Sequence, residues 1–147
     1  MQSINSLPIT KEDEELAQAS IDIIKKLFKK NFHGVGAALR TKAGKIYTAV
    51  HLEANVGRIA VCAEAIVLGK AISEGEKEFD TVVAALHTDE GEADICSPCG
   101  MCRELMTDYN KNIKVIVKNE GKLFKCEMLS LLPGKFQNAY EMSYTDS

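Results

Sequence analysis

Strand-like and helix-like segments alternate through the middle of this chain, and that order predicts an α/β fold with helices on both faces of a sheet. Two further observations agree. Val82, Val83, Ala84, Ala85 and Leu86 form a continuous apolar run, the pattern of a strand covered on both sides. The 147 residues, 46% of them hydrophobic, suffice for a single domain, residues 1–147, with a full core.

The elements follow in order. Thr10 is placed to cap a first helix. Glu12, Asp13, Glu14 and Glu15 fill its first turn, and Lys25, Lys26, Lys29 and Lys30 its last turns, so both ends complement the helix dipole. Leu16, Ile23, Ile24 and Leu27 are the expected buried stripe, and the charges a solvated face. Asn31 to Gly34 break the helix. Val35 to Thr41 and Lys45 to Val50 read as a hairpin turning at Lys42-Ala43-Gly44. After a loop from His51 to Ala60, a helix begins near Cys62 and stops at Gly75. Thr81 to His87 is the buried strand, and Thr88 to Asp94 reads as a polar loop. A helix runs from the second cysteine block to about Tyr109. Ile113 to Val117 and Lys122 to Cys126 are strands flanking the Glu120-Gly121 turn, and Met128 to Leu132 is a last helical turn stopped by Pro133. The count is five strands and three substantial helices. Gln137 to Ser147, polar except for Tyr140 and Tyr144, read as a tail or an inter-subunit arm outside a core of about 10–136.

Composition excludes several function classes. A net charge of -3 and no dense Lys/Arg stripe argue against a nucleic-acid polymer as partner. No apolar run reaches membrane-spanning length. The opening MQSINSLPIT lacks a charged start followed by an apolar stretch, so no secretory signal is expected. The five cysteines then read as reduced thiols or metal ligands of a cytoplasmic protein.

Two short blocks carry the chemistry: Cys62-Ala63-Glu64 and Pro98-Cys99-Gly100-Met101-Cys102, each at a helix start. Helix N-termini stabilise thiolates. Thiolates are soft ligands suited to zinc, and a catalytic zinc takes three protein ligands with water in the fourth place. Three thiolates on Zn²⁺ leave a net charge of about -1, which the helix ends and Arg103 would offset. Glu64, two residues after one candidate ligand, is placed to move protons. Other readings exist. A free cysteine is usually a small buried residue, and a lone Cys-x-x-Cys also fits a redox pair or half of a structural zinc site. Cys96, Cys99 and Cys102 make a Cys-x-x-Cys-x-x-Cys run, but an iron–sulfur cluster wants a fourth cysteine. Cys126 reads as core, and Cys96 as a spare thiol near the site.

The two blocks together resemble the zinc signature of the cytidine deaminase superfamily in its three-cysteine form. Val35-Gly36-Ala37-Ala38-Leu39, Lys70-Ala71-Ile72-Ser73-Glu74-Gly75 and Ser97-Pro98 extend the likeness over about Val35 to Phe136. The resemblance implies a three-layer α/β/α sandwich around a mixed five-stranded sheet, usually a homotetramer with sites completed by neighbours, or a dimer. It also implies one zinc per chain on Cys62, Cys99 and Cys102, and attack of activated water on C4 of a cytosine ring, with Glu64 moving the proton to N3 and then to ammonia.

Departures from the family pattern bear on substrate. A phenylalanine three residues before the Val-Gly-Ala-Ala glycine is His33 here, and the ribose-holding Asn-x-Glu pair reads His51-Leu52-Glu53. Two residues apart on an extended segment, His51 and Glu53 point the same way. The arginine usual after the glutamate is Ala65. Blasticidin S deaminase, a relative, also lacks that arginine and the phenylalanine. The expected substrate-binding set is His51, Glu53, Ala63, His33 and Ser97, against the alternative that His33 and His51 are loop histidines without a role. The expected activity is hydrolytic deamination of cytidine or deoxycytidine, hydrolysis of a C–N bond in a cyclic amidine. A blasticidin S-type aminonucleoside deaminase is the enzyme alternative. An inactive, zinc-stabilised binding protein on the same fold is the alternative of a different class.

Overall fold

The computed structural model describes residues 4–137 and 144. Apart from Gln137 and Tyr144, the expected tail lies outside the described residues. Tyr144 packs its ring against Tyr109, centroids 4.8 Å apart.

Helix α1 spans Lys11–Leu27. Thr10 and Asp13 cap it reciprocally: the Asp13 amide donates to the Thr10 hydroxyl, and the Thr10 amide to the Asp13 carboxylate. Its buried side is Asp13, Leu16, Ala17, Ser20 and Ile24. The expected stripe is thus rotated. Ile23 is half-buried and Leu27 exposed, while Asp13, read as a solvated charge, is fully buried. Small residues on that side let the helix lie close to the sheet. At Gly36 an added Cβ would sit 2.8–2.9 Å from Ile23, Ile24 and the Ser20 carbonyl.

Strands β1 (Val35–Thr41) and β2 (Ile46–Val50) form the hairpin, with Gly44 at φ +93° in its turn. Then follow helix α2 (Ala63–Ser73), strand β3 (Phe79–His87), strand β4 (Ala93–Cys96) and helix α3 (Gly100–Tyr109). Strands β5 (Lys114–Asn119) and β6 (Lys122–Glu127) and a 3-10 turn at Met128–Leu131 complete the core.

The sheet order is β2-β1-β3-β5-β6. The β3–β5 pair is parallel, while β1 is antiparallel to both β2 and β3, so β2, β3 and β5 run the same way. Side chains alternate between two cores. Ala37, Leu39, Val82, Ala84, Val115 and Val117 meet Val67 and Ala71 of α2 and Met106 of α3 on one face. Ala38, Val83, Ala85 and Ile116 meet Leu16, Ala17 and Ile24 of α1 on the other. This is the expected mixed α/β architecture with helices on both faces.

The sheet has six strands where five were expected. β5 pairs with β3 only over Thr81–Val83, and from Ala84 to His87 the same edge is taken by β4. The turn between β3 and β4 closes through Thr88 N–H to Glu92 C=O at 2.7 Å, with Gly91 at φ +91°. Four residues with only Ile95 buried give too short an alternation to read as a strand. The consequence is positional. β4 carries the chain back to Cys96, opposite Ala84, where β3 and β5 part, and the second cysteine block begins there.

Candidate active site

Four segments converge on the cysteines. Cys62 is the N-cap residue of α2 and Cys99 that of α3, so both thiols stand at helix starts. Cys102, a turn into α3, is buried. The segment after β2 is stitched to the residue before Cys62 by two backbone hydrogen bonds, Leu52 N–H to Val61 C=O (3.0 Å) and Val61 N–H to Leu52 C=O (2.9 Å). The Glu53 amide donates to the Phe32 carbonyl at 3.2 Å, which brings in the turn before β1.

The thiols of Cys62, Cys99 and Cys102 lie within 4.8 Å of one another. Cys62 to Cys99 is 3.6 Å and Cys99 to Cys102 is 3.5 Å. A tetrahedral ion about 2.3 Å from each sulfur spaces the sulfurs about 3.8 Å apart, so this trio fits zinc. Among the described residues Cys96 is outside the trio. Burial, and then the charge of Glu64, push its thiol up to about 12, the behaviour of an inert thiol. Cys126 is fully buried core, as expected.

Burial raises Cys62 and Cys102, and neighbouring thiols and Glu64 add to the effect on Cys102. Cys99 is the exception. Burial opposes its ionisation, but the Cys102 amide and the two other thiols outweigh it. Arg103 sends Nε to the Pro98 carbonyl at 3.0 Å and Nη1 to the Leu131 carbonyl at 2.7 Å, clamping the cysteine loop to the 3-10 turn. That clamp could not be read from the sequence, because its second anchor is 28 residues away.

Glu64 is 5% exposed on the first turn of α2. Burial raises its carboxyl, opposed by its backbone amide, the Cys102 thiol and the charge of His51. The carboxyl therefore sits beside the trio. The Nε2 atom of His51 stands 3.8 Å from Glu53 Oε2, and the His33 Nδ1 meets the His51 carbonyl at 2.8 Å. Ala63, the first residue of α2, is fully buried. Ser97 is exposed and lines a neighbouring cavity of about 290 Å³ with Arg103, Lys118 and Ser130.

Known proteins resemble this chain in sequence and in fold. The sequence profile described as "Cytidine and deoxycytidylate deaminase zinc-binding region" matches residues 10–119. The chain belongs to this deaminase family. Blasticidin-S deaminase of Bacillus cereus is 47% identical over 132 residues, 87% of this chain and 94% of that protein. Cytidine deaminase of Sporosarcina psychrophila is 33% identical over 112 residues, 75% of this chain and 79% of that protein. Among solved structures, cytidine deaminase from Burkholderia pseudomallei superposes with a TM-score of 0.69 at 26% identity, covering 87% of this chain and all (100%) of that one. The family's zinc-binding region thus includes both cysteine blocks of this chain.

Proposed function

We propose that this protein is a zinc-dependent hydrolytic deaminase of a cytosine-type nucleoside, releasing ammonia and the corresponding uracil compound. The observation that carries the reading is the juxtaposition of Cys62, Cys99 and Cys102 with the buried Glu64. One zinc per chain on those thiols, when bound, supplies an activated water and a Lewis acid. Glu64 passes one proton of the attacking water to the ring's N3, where the uracil product keeps it, and carries the second to the departing amino group. Its burial keeps bulk water from competing for that proton. The backbone of Ala63, at the start of α2, hydrogen-bonds the base in this reading, and Glu53 accepts from a sugar hydroxyl. His51 and His33 shape the sugar side, and Ser97 borders the cysteine loop.

A second reading has its own support. The 47% identity to a blasticidin-S deaminase, over nearly that protein's whole length, favours an aminonucleoside of that type as substrate. Among the described residues no helix is long and apolar enough to cross a membrane. The five free cysteines support a cytoplasmic setting. Val56, Ile59, Val61 and Met101 are exposed around the site, which supports burial in a homo-oligomer, a tetramer or a dimer.

Ammonia release from cytosine, cytidine, deoxycytidine and blasticidin S, with the zinc-loaded protein, tests the reading. Turnover of cytidine above blasticidin S supports the first assignment, and the reverse order the second. Tight zinc binding with no turnover of any of them would leave a zinc-stabilised binding protein.

A further inference from the structure

The sheet forks beside the cysteine loop. β5 pairs with β3 no further than Ile116, and β4 takes the edge of β3 from Ala84 onward. From Val117 on, β5 therefore has β6 alone as a neighbouring strand. The fork opens at the carboxyl end of β5, the end at which open α/β sheets hold ligands. Ser97, one residue past β4, and Val117, Lys118 and Asn119 of β5 border the cavity of about 290 Å³ there.

The apolar part of its lining is Val117, its cross-strand partner Phe124, Leu131 and Pro133. The polar part is Arg103, Lys118, Asn119, Ser97 and Ser130, with no carboxylate among them. In a chain of net charge -3 that is a local reversal of sign. Both cations keep donors in reserve. A guanidinium has five N–H groups, and Arg103 gives one from Nε to the Pro98 carbonyl and one from Nη1 to the Leu131 carbonyl, so three remain. The Lys118 ammonium has three protons and meets the two Asp94 oxygens at 2.8 and 2.6 Å, so one remains. With Asp94 counted, two cations face one carboxylate and the group is net positive.

An anion with a flat apolar body fits such a lining. Its head meets Arg103 and Lys118, and its body covers Val117 and Phe124. A volume of about 290 Å³ lies at the lower end of small-molecule pockets, which limits the body to about one ring. None of Cys62, Glu64, His51 and Glu53 lines this cavity, so it is separate from the candidate active site.

We propose that the fork binds a small organic anion, a single ring under a phosphate or carboxylate head, and that its occupancy steadies the cysteine loop through Arg103. Arg103 directly follows Cys102 and holds the carbonyl before Cys99. An anion on its spare N–H groups keeps the guanidinium in the clamping position and leaves both carbonyls their donors. The loop carrying two of the three candidate zinc ligands then opens less readily. The inference stands apart from the deaminase reading, because this ligand is not turned over.

The test is calorimetry of zinc-loaded full-length protein with phenyl phosphate and benzoate, and with inorganic phosphate and benzyl alcohol as head and ring alone. At least one ring anion should bind with a Kd below about 1 mM, and at least roughly tenfold more tightly than inorganic phosphate or benzyl alcohol. The preferred head then names the class, a phosphate monoester or a carboxylic acid. Ser130→Glu places a carboxylate in the lining and should abolish the binding at an unchanged melting temperature, since Ser130 is exposed. Lys118→Gln should weaken both ring anions several-fold and leave benzyl alcohol as it was. With the ring anion bound, zinc transfer to a chromogenic chelator should slow several-fold in the wild type and stay unaltered in Ser130→Glu. No saturable binding of either ring anion, binding that excess cytidine displaces, or binding retained in both variants overturns the site. Zinc transfer indifferent to the bound anion overturns its link to the loop.

Discussion

Two buried clusters of ionisable groups, on opposite faces of the same sheet, behave in opposite ways. On the α1 face Asp13 meets Lys125 at 2.6 Å and Arg40 at 2.8 Å, and Arg40 reaches on to Asp80 at 2.8 Å. Burial pushes the Asp13 carboxyl upward, but hydrogen bonds from Lys125, the Thr10 amide and Arg40 outweigh it and hold it far below the usual carboxylate range. Asp80 is likewise drawn down, by Arg40, Thr81 and Lys114 against its burial. On the α2/α3 face burial wins. Cys62, Cys102 and Glu64 are all raised, and the neighbouring Arg103 directs its donors to carbonyls. The first cluster carries its own cations and is a structural clamp joining α1, β1, β3 and β6. The second is assembled from acids alone, and its thiols are spaced for a cation that no side chain supplies. Burial of charge is therefore stabilising or reactive according to whether the partner belongs to the chain.

The largest expected effect breaks the chemistry and spares the three thiols and the α1-face cluster. Glu64→Gln should lower kcat by at least roughly 10²–10⁴-fold, with zinc content and melting temperature near wild type. Near-normal turnover would remove Glu64 from the mechanism.

Next comes the metal. Cys102→Ser, or stripping with a chelator, should abolish turnover, and zinc should restore the stripped wild type but not the variant. Cys96→Ser is the control: it should keep one zinc per chain by metal analysis, and loss of zinc there would make Cys96 a ligand.

The α1-face cluster predicts the reverse pattern. Asp13→Ala strands Lys125, leaves Arg40 with Asp80 as its carboxylate, and should cost about 3–5 kcal/mol in denaturant unfolding, while zinc per folded chain is unchanged. A cost below about 1 kcal/mol would place this cluster with ordinary surface pairs.

The smallest effect is in pH. Asp13 and Asp80 bind protons less tightly folded than unfolded, where aspartate titrates near about 3.9. Their stabilisation is complete above that value and fades as pH falls below about 4. Unfolding free energy of metal-stripped protein should drop over that acid range, and Asp13→Asn should flatten the drop. An identical acid slope in that variant would assign acid sensitivity elsewhere.

Much of this was legible before folding was considered. The local signals of Thr10, Gly44, the Val82–Leu86 run and the helix starts at Cys62 and Cys99 placed nearly every element, because capping, turn geometry and side-chain period act within a few residues. The Cys62-Ala63-Glu64 and Pro98-Cys99-Gly100-Met101-Cys102 blocks marked the candidate ligands and a candidate proton carrier, since ligand type and spacing are written in the chain itself. Tertiary structure decided the rest. β4 exists because β3 offers an edge beyond the end of β5, and no four-residue pattern announces that. Asp13 turned from a helix-end charge into a buried anchor because Lys125, 112 residues away, arrives on the same face. The His51 ring found its partners in the Gly34 and Val35 amides across the hairpin. Sequence fixes which groups are available over short range, and only the closed fold determines which distant partner satisfies a buried polar group.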